Sequence, residues 1–272
     1  LGRTTNKTVE RKEYVSPEKI ITELRSYLNN APIIPDYLTI SGSGEPTLHS
    51  RLKEIVSEIK RIAAIPVAVI TNSSLLYQDE VKEQLLGADV ILPSLDAVSE
   101  TLFVYLNRPH SSIQIRDIIR GLKELRQAFT GEIWLETVFC LGVNDLKGEV
   151  QALKEAIQEI NPDKIHLNTV DRPPAEDFVF PLPMEKLVKI QSELGEKAEI
   201  IVSQNFDVPS SNLVEREKRI LELLRRRPCS STELSAALGI HPNELINLLE
   251  NLTKEGKIHY RIYNNQCYYE AN

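Results

Sequence analysis

Between residues 16 and 203 two hydrophobic patterns alternate along the chain. Short apolar runs of the doubly buried kind, such as "PVAVIT" (66–71), read as strands. Longer stretches with apolar residues three and four apart read as helices. An example is 50–63, with Leu52, Ile55, Val56, Ile59 and Ile62 on one face. The pattern predicts helices over 17–28, 50–63, 77–87, 113–129, 146–160 and 183–194. It predicts strands over 37–41, 66–71, 89–96, 132–140, 164–170 and 199–203. Ser16 and Pro17 mark the first helix start, and Gly87 marks the end of the third. A repeated strand–helix order demands a parallel sheet with helices outside it, open or rolled into a whole or partial barrel. Ligands then collect at the carboxyl ends of the strands.

Around 204–212, "QNFDVPSSN", the alternation stops in a polar, proline-containing linker. Beyond it, three helical patterns (213–227, 230–239, 241–256) precede two alternating runs around Asn264-Asn265, a favoured hairpin pair. Three helices and a hairpin predict a winged helix-turn-helix. The expected domains are therefore 1–207, α/β, and 208–272, winged helix.

Composition narrows the class. Hydrophobic residues make up 42% and charged residues 26% of 272, normal for a globular protein. The net charge of −7 argues against a chain whose main surface grips nucleic acid. No apolar run approaches the ~18 residues of a membrane span, and nothing resembles a secretion signal. Three scattered cysteines, Cys140, Cys229 and Cys267, build no disulfide framework, so the cytoplasm is the expected location and no membrane partner is expected. Residues 213–272 hold nine Lys/Arg against eight Asp/Glu, and the third helix of the small domain carries Glu244, Glu250 and Glu255 against Lys254 alone. A protein or substrate partner suits that surface at least as well as a nucleic acid. The "RRR" at 225–227 is equally a phosphate contact or a charged helix end.

The unusual segments all follow predicted strands: "SGSGEP", "TNSS", "PSLDA", "CLGVND" and "NTVDRPP". In the first, Gly42 and Gly44 let backbone N–H groups approach a ligand closely. Glu45 projects from the strand-to-helix corner and Pro46 opens the next element. Exposed N–H groups suit a carboxylate or phosphate, and the Glu45 carboxylate suits an ammonium. A ligand carrying both an amino and a carboxylate group fits best, and an ordinary tight turn is the plain alternative. Arg108 and His110, in "NRPH", suit an anionic substrate or simple loop capping. Asp171 and Arg172, in "VDRPP", suit a substrate or an ordinary surface pair.

"GSGEPTL" resembles the glycine-rich motif of the radical S-adenosylmethionine (radical SAM) superfamily, and the resemblance covers roughly 1–203. It is most similar to the iron–sulfur oxidoreductases related to the wyosine-forming enzymes of tRNA. The resemblance implies a partial (βα)6 TIM-like barrel in which Gly42, Ser43, Gly44 and Glu45 hold the methionine end of S-adenosylmethionine. It carries Thr71 and Asn72 onto the family's Thr-Asn-Gly. There Ser73 replaces the glycine and leaves the backbone conformation open. It places Ser94 and Asp96 on the ribose or carboxylate side, with Glu136 in the next strand. Gly142 and Asn168 fall beside the adenine. A strand-end cap is the alternative for each of these residues taken singly.

The superfamily also implies a [4Fe–4S] cluster on three thiolates, an electron donor such as a ferredoxin or flavodoxin, and an oxidoreductase-type reaction. In that reaction a 5′-deoxyadenosyl radical takes hydrogen from a substrate that the sequence does not identify. None of the three cysteines here fits the cluster triplet. The subgroup continues its triplet with a segment similar to "LGRTT", the first five residues of this chain. The expectation is that the cluster cysteines and the first barrel strand lie upstream of Leu1, within roughly 40–60 residues, and that this chain alone is inactive. Two other readings stay open: a ligand-sensing regulator with a non-catalytic barrel and a DNA- or protein-binding winged helix, and an unrelated phosphate-binding α/β enzyme.

Overall fold

A computed structural model describes residues 6–31, 34–42, 44–170, 179–201, 213–238, 240, 242–264 and 266–272. These residues divide into two compact units, one ending at Ile201 and one beginning at Leu213. The linker expected at 204–212 lies outside the described residues.

The first unit contains the strands β1 (Leu38–Ile40), β2 (Val67–Thr71), β3 (Val90–Pro93), β4 (Glu132–Phe139), β5 (Lys164–Thr169) and β6 (Ala198–Ile200). All five pairings are parallel, and the strands lie side by side in chain order. This agrees with the partial barrel that the pattern and the resemblance led us to expect. The connecting helices are α1 (Pro17–Asn30), α2 (Leu52–Ile62), α3 (Asp79–Leu85), α4 (Glu100–Asn107), α5 (Ile115–Ala128), α6 (Lys147–Ile160) and α7 (Met184–Leu194). α1 begins as its sequence dictates: the Ser16 hydroxyl accepts from the Lys19 N–H and Pro17 fills the first position. α4 is an element the hydrophobic pattern did not predict.

The two sheet faces differ. Leu38, Val67, Val69, Ile91, Ile133, Leu135, Phe139, Ile165 and Leu167 join the apolar stripes of the helices in one continuous core. Each buried aliphatic side chain there contributes about 1.5–3 kcal/mol. Alternate residues, Ala68, Val90, Ser94, Trp134, Glu136, His166 and Asn168, are absent from that core. Period-two alternation puts them on the opposite face. Glycine is required at 121 in α5, because an added Cβ would lie 2.5 Å from the Leu76 carbonyl. Any side chain there would push α5 off the segment that follows β2.

The second unit contains α8 (Leu213–Arg226), β7 (Cys229–Ser230), α9 (Ser231–Leu238), α10 (Pro242–Lys254), β8 (Ile258–Tyr263) and β9 (Gln266–Ala271). Its sheet is antiparallel in the order β7-β9-β8. The hairpin was expected and β7 was not. α9 carries a reciprocal cap: the Ser230 hydroxyl accepts from the Glu233 N–H, and the Glu233 carboxylate accepts from the Ser230 N–H at 2.8 Å. Ile220, Leu234, Leu245, Leu249 and Ile258 form a separate core. Among the described residues no helix is long and apolar enough to cross a membrane.

Candidate functional site

The first unit gathers its polar strand-end residues on one rim. Gly42 takes φ +60° directly after β1, and Gly44 is exposed. Among the described residues, a Cβ on Gly44 would meet no atom within 4 Å, and the same holds for Gly142 (φ +72°) after β4. Both glycines therefore border open space, where a ligand is able to reach the backbone.

Glu45 follows, and its carboxylate is a bracket between two strand ends. Oε1 accepts from the Thr47 N–H (3.0 Å), the Thr47 hydroxyl (2.6 Å) and the Thr71 hydroxyl (2.6 Å). Oε2 accepts from the Asn72 N–H at 2.7 Å. Sequence reasoning aimed this carboxylate at a ligand ammonium. Three of its four bonds instead converge on Oε1, and Oε2 accepts a single one, which leaves it free to accept another. Thr47 also ties backward, since its carbonyl accepts from Arg11 Nε at 3.1 Å while Arg11 pairs with Glu80 at 2.6 Å.

Ser73 resolves the question its replacement of glycine raised. It is fully buried with φ +65°, the left-handed conformation glycine would take. Its hydroxyl donates to the Ser94 carbonyl (2.8 Å) and its N–H donates to the Thr71 hydroxyl (3.2 Å). Those bonds offset the strain of a Cβ in that region.

The next strand ends are joined around Asp96. Its Oδ1 accepts from the Val138 N–H (2.9 Å) and its Oδ2 from the Asn107 side chain (2.7 Å). Asn144, 1% exposed, donates to the carbonyls of Asp96 and Val138 and accepts from the Cys140 N–H. Burial raises the Asp96 pKa, opposed in part by the Val138 and Asn107 bonds. Burial also raises that of Glu136, helped by the Asp96 charge. Glu136 pairs in register with His166 of β5 and bridges to Ser94. Asn168 pairs with Val138 at the end of β5.

Thus Gly42, Gly44, Glu45, Thr71, Asn72, Ser94, Asp96, Glu136, Gly142 and Asn168 lie at or near successive strand ends. Ser43, Asp171 and Arg172 lie outside the described residues. The backbone of Arg108 and the ring of His110 bond locally. Arg108 closes α4 in a left-handed conformation, with its N–H on the Val104 carbonyl. His110 accepts from the Ser112 N–H and bonds its hydroxyl. His110 also lines a cavity of about 930 Å³ with Lys7, Glu100 and Arg116. Sequence reasoning missed Asn144, Asn107, Trp134 and His166.

The chain's cysteines do not fit an iron–sulfur cluster. Cys140 and Cys229 are buried and lie in different units, with Cys267 half-buried in the second. Burial and the Asp96 charge push the Cys140 thiol up to about 12, far from a thiolate. Among the described residues no three His, Cys, Asp or Glu side chains group as metal ligands. The two open glycines do fit a small ligand that is held through the backbone.

A parallel sheet with its polar groups and open glycines at the strand ends defines a ligand-binding α/β protein of the TIM-like kind. The profile of the Radical SAM superfamily matches residues 3–157, and the chain belongs to that superfamily. Curated relatives include a UPF0026 protein of Methanocaldococcus jannaschii. It is 32% identical over 282 residues, covering 100% of this chain and 86% of that one. A Brachyspira hyodysenteriae protein named GTPase Obg is 34% identical over 276 residues, covering 100% of this chain but only 40% of its own length. The fold resembles SuiB of Streptococcus suis, solved bound to S-adenosylmethionine, with a TM-score of 0.54 at 13% identity. That match covers 70% of this chain and 44% of SuiB. It equally resembles a radical SAM methyltransferase from Sphaerobacter thermophilus, with a TM-score of 0.54 at 16% identity, covering 70% and 59%.

Proposed function

We propose that the first unit is the S-adenosylmethionine-binding body of a radical SAM enzyme of oxidoreductase type, in the subgroup related to the wyosine-forming enzymes. The observation that carries the reading is the pair of open glycines, Gly44 and Gly142, in the loops that follow the carboxyl ends of β1 and β4. The backbone at Gly42–Gly44 receives the methionine end. The Glu45 bracket fixes that loop against β2 and presents Oε2 beside the Asn72 N–H. Ser94 offers its hydroxyl from the end of β3, and Gly142 leaves room for the adenine. S-adenosylmethionine, when bound, would supply the radical chemistry of this superfamily. The protein contributes orientation and exclusion of water.

The cluster ligands are proposed to lie upstream of Leu1, because the chain's own cysteines do not converge. A ferredoxin or flavodoxin is the proposed electron donor, and the cytoplasm the proposed location. The second unit is proposed to be a winged helix. Its element order and the β7-β9-β8 sheet support that reading, and its near-balanced charge favours a protein or substrate partner over duplex DNA.

Gly44→Val tests the cofactor site. A Cβ at this position meets no atom of the described residues within 4 Å and Gly44 is not left-handed, so the fold should be unchanged. In the upstream-extended protein, reconstituted anaerobically to about four irons, S-adenosylmethionine affinity should fall at least tenfold. Unchanged affinity would remove Gly44 from the site. Failure of the extended protein to hold iron would remove the cluster assignment.

A further inference from the structure

The sheet face opposite the helix-covered core carries two polar side chains with no hydrogen-bond partner among the described residues. Glu136 is half-buried, and its carboxylate has no hydrogen-bond partner among the described residues. His166, its register neighbour on β5, is 8% exposed, and neither ring nitrogen is hydrogen-bonded among the described residues. A doubly covered parallel sheet normally fills such positions with aliphatic residues. Polar groups on this face that make no bond among the described residues are open to a ligand or to water.

The surroundings indicate what these groups are for. Trp134 lies one pleat away from Glu136, its ring 5.4 Å from that of His166, and Tyr37 meets it edge-on at 5.7 Å. Three carboxylates, Asp96, Glu136 and Glu199, lie around this face. Of the cations, Lys164 lies 4.8 Å over the Trp134 ring and pairs with Glu199. Asp96 already accepts one bond on each oxygen, from Val138 and Asn107, whereas the Glu136 carboxylate accepts none among the described residues. A carboxylate without a partner beside aromatic rings is the chemistry that binds a cationic nitrogen, through charge-assisted hydrogen bonds and ring contact.

We infer that Glu136, His166 and Trp134 form a substrate subsite on the concave face, one polar layer below the cofactor rim, that takes a cationic nitrogen group, an ammonium or a guanidinium. The inference rests on the radical SAM reading for its meaning as a substrate site. It removes Glu136 from the cofactor contacts that the family resemblance implied.

Trp134 is the only tryptophan in the chain, so its emission reports on this site alone. The experiment titrates the 272-residue chain with methylguanidinium, methylammonium and, as a neutral control, acetamide. A saturable change with either cation and none with acetamide is expected. The preferred cation then names the substrate group. Glu136→Ala should weaken the response at least tenfold, and Glu136→Gln, which keeps the shape, should do the same. No saturable response, an equal response to acetamide, or an undiminished response in both variants overturns the inference. A tenfold loss of S-adenosylmethionine affinity in Glu136→Gln with cation binding intact overturns it as well, and returns Glu136 to the cofactor. The probe titration contains no S-adenosylmethionine, so its failure leaves the cofactor reading standing. A failed Gly44→Val test in turn leaves the cation site standing.

Discussion

Glu45 and Asn72 are joined across 27 positions of sequence by a 2.7 Å bond from the Asn72 backbone N–H to the Glu45 carboxylate. The same carboxylate accepts from the Thr71 hydroxyl, and Thr71 and Thr47 are each 1% exposed. The residue that sequence chemistry assigned to a ligand therefore also locks the loop after β1 to the end of β2.

Glu45→Ala should accordingly destabilise the first unit even without any cofactor. The buried hydroxyls of Thr47 and Thr71 lose their acceptor, at about 1–3 kcal/mol for each donor left unsatisfied. Glu45→Gln keeps one acceptor oxygen and should lose less. Urea denaturation of the three proteins measures both. Equal midpoints would show that the bracket contributes nothing to the fold.

Ser73 separates strain from hydrogen bonding. Ser73→Ala keeps the left-handed strain and loses the 2.8 Å bond to the Ser94 carbonyl, so it should cost about 1 kcal/mol. Ser73→Gly loses the same bond but relieves about 1–2 kcal/mol of left-handed strain, so it should be neutral or slightly stabilising. A chemical denaturation series in which glycine is worse than alanine would contradict the conformational argument.

Glu136→Gln should stabilise the fold at neutral pH. Burial and the Asp96 charge raise the Glu136 pKa, so the folded state favours the protonated carboxyl. That stabilisation is present in acid, below the ordinary carboxylate value of about 4.3, and is lost as pH rises through the raised value. The uncharged amide escapes the loss. Each kcal/mol gained should raise Tm by about 2–4 °C, and the advantage should vanish in acid. Thermal melts across that range test it. A gain that is independent of pH would point to packing instead.

The sequence disclosed the rim because buried runs such as "PVAVIT" announce strands, and their ends carry glycine, carboxylate and amide residues in conspicuous clusters. Thr71, Ser94 and Asp96 were legible for that reason. Asn144 was not. It is an ordinary loop residue by composition, and its importance lies in bonds to Asp96 and Val138 that only the folded chain creates. His166 and Trp134 were hidden differently, inside strand patterns whose alternate positions read as apolar filling. α4 was missed because its apolar residues, Leu102, Phe103, Val104 and Leu106, have no clear helical stripe. β7 is two residues long and pairs with a strand almost forty positions later, which no local pattern reports.

The chain-order sheet has a consequence for how the first unit is made. From β2 onward, every strand finds its neighbour already laid down by the segment just before it, and no gap in the sheet waits for a later strand. Paired strands lie 22 to 42 positions apart, so each pairing closes one strand–helix–strand crossover and none spans the whole unit. The unit is thus able to grow from one edge in step with synthesis, each strand and helix docking on a finished surface as it emerges.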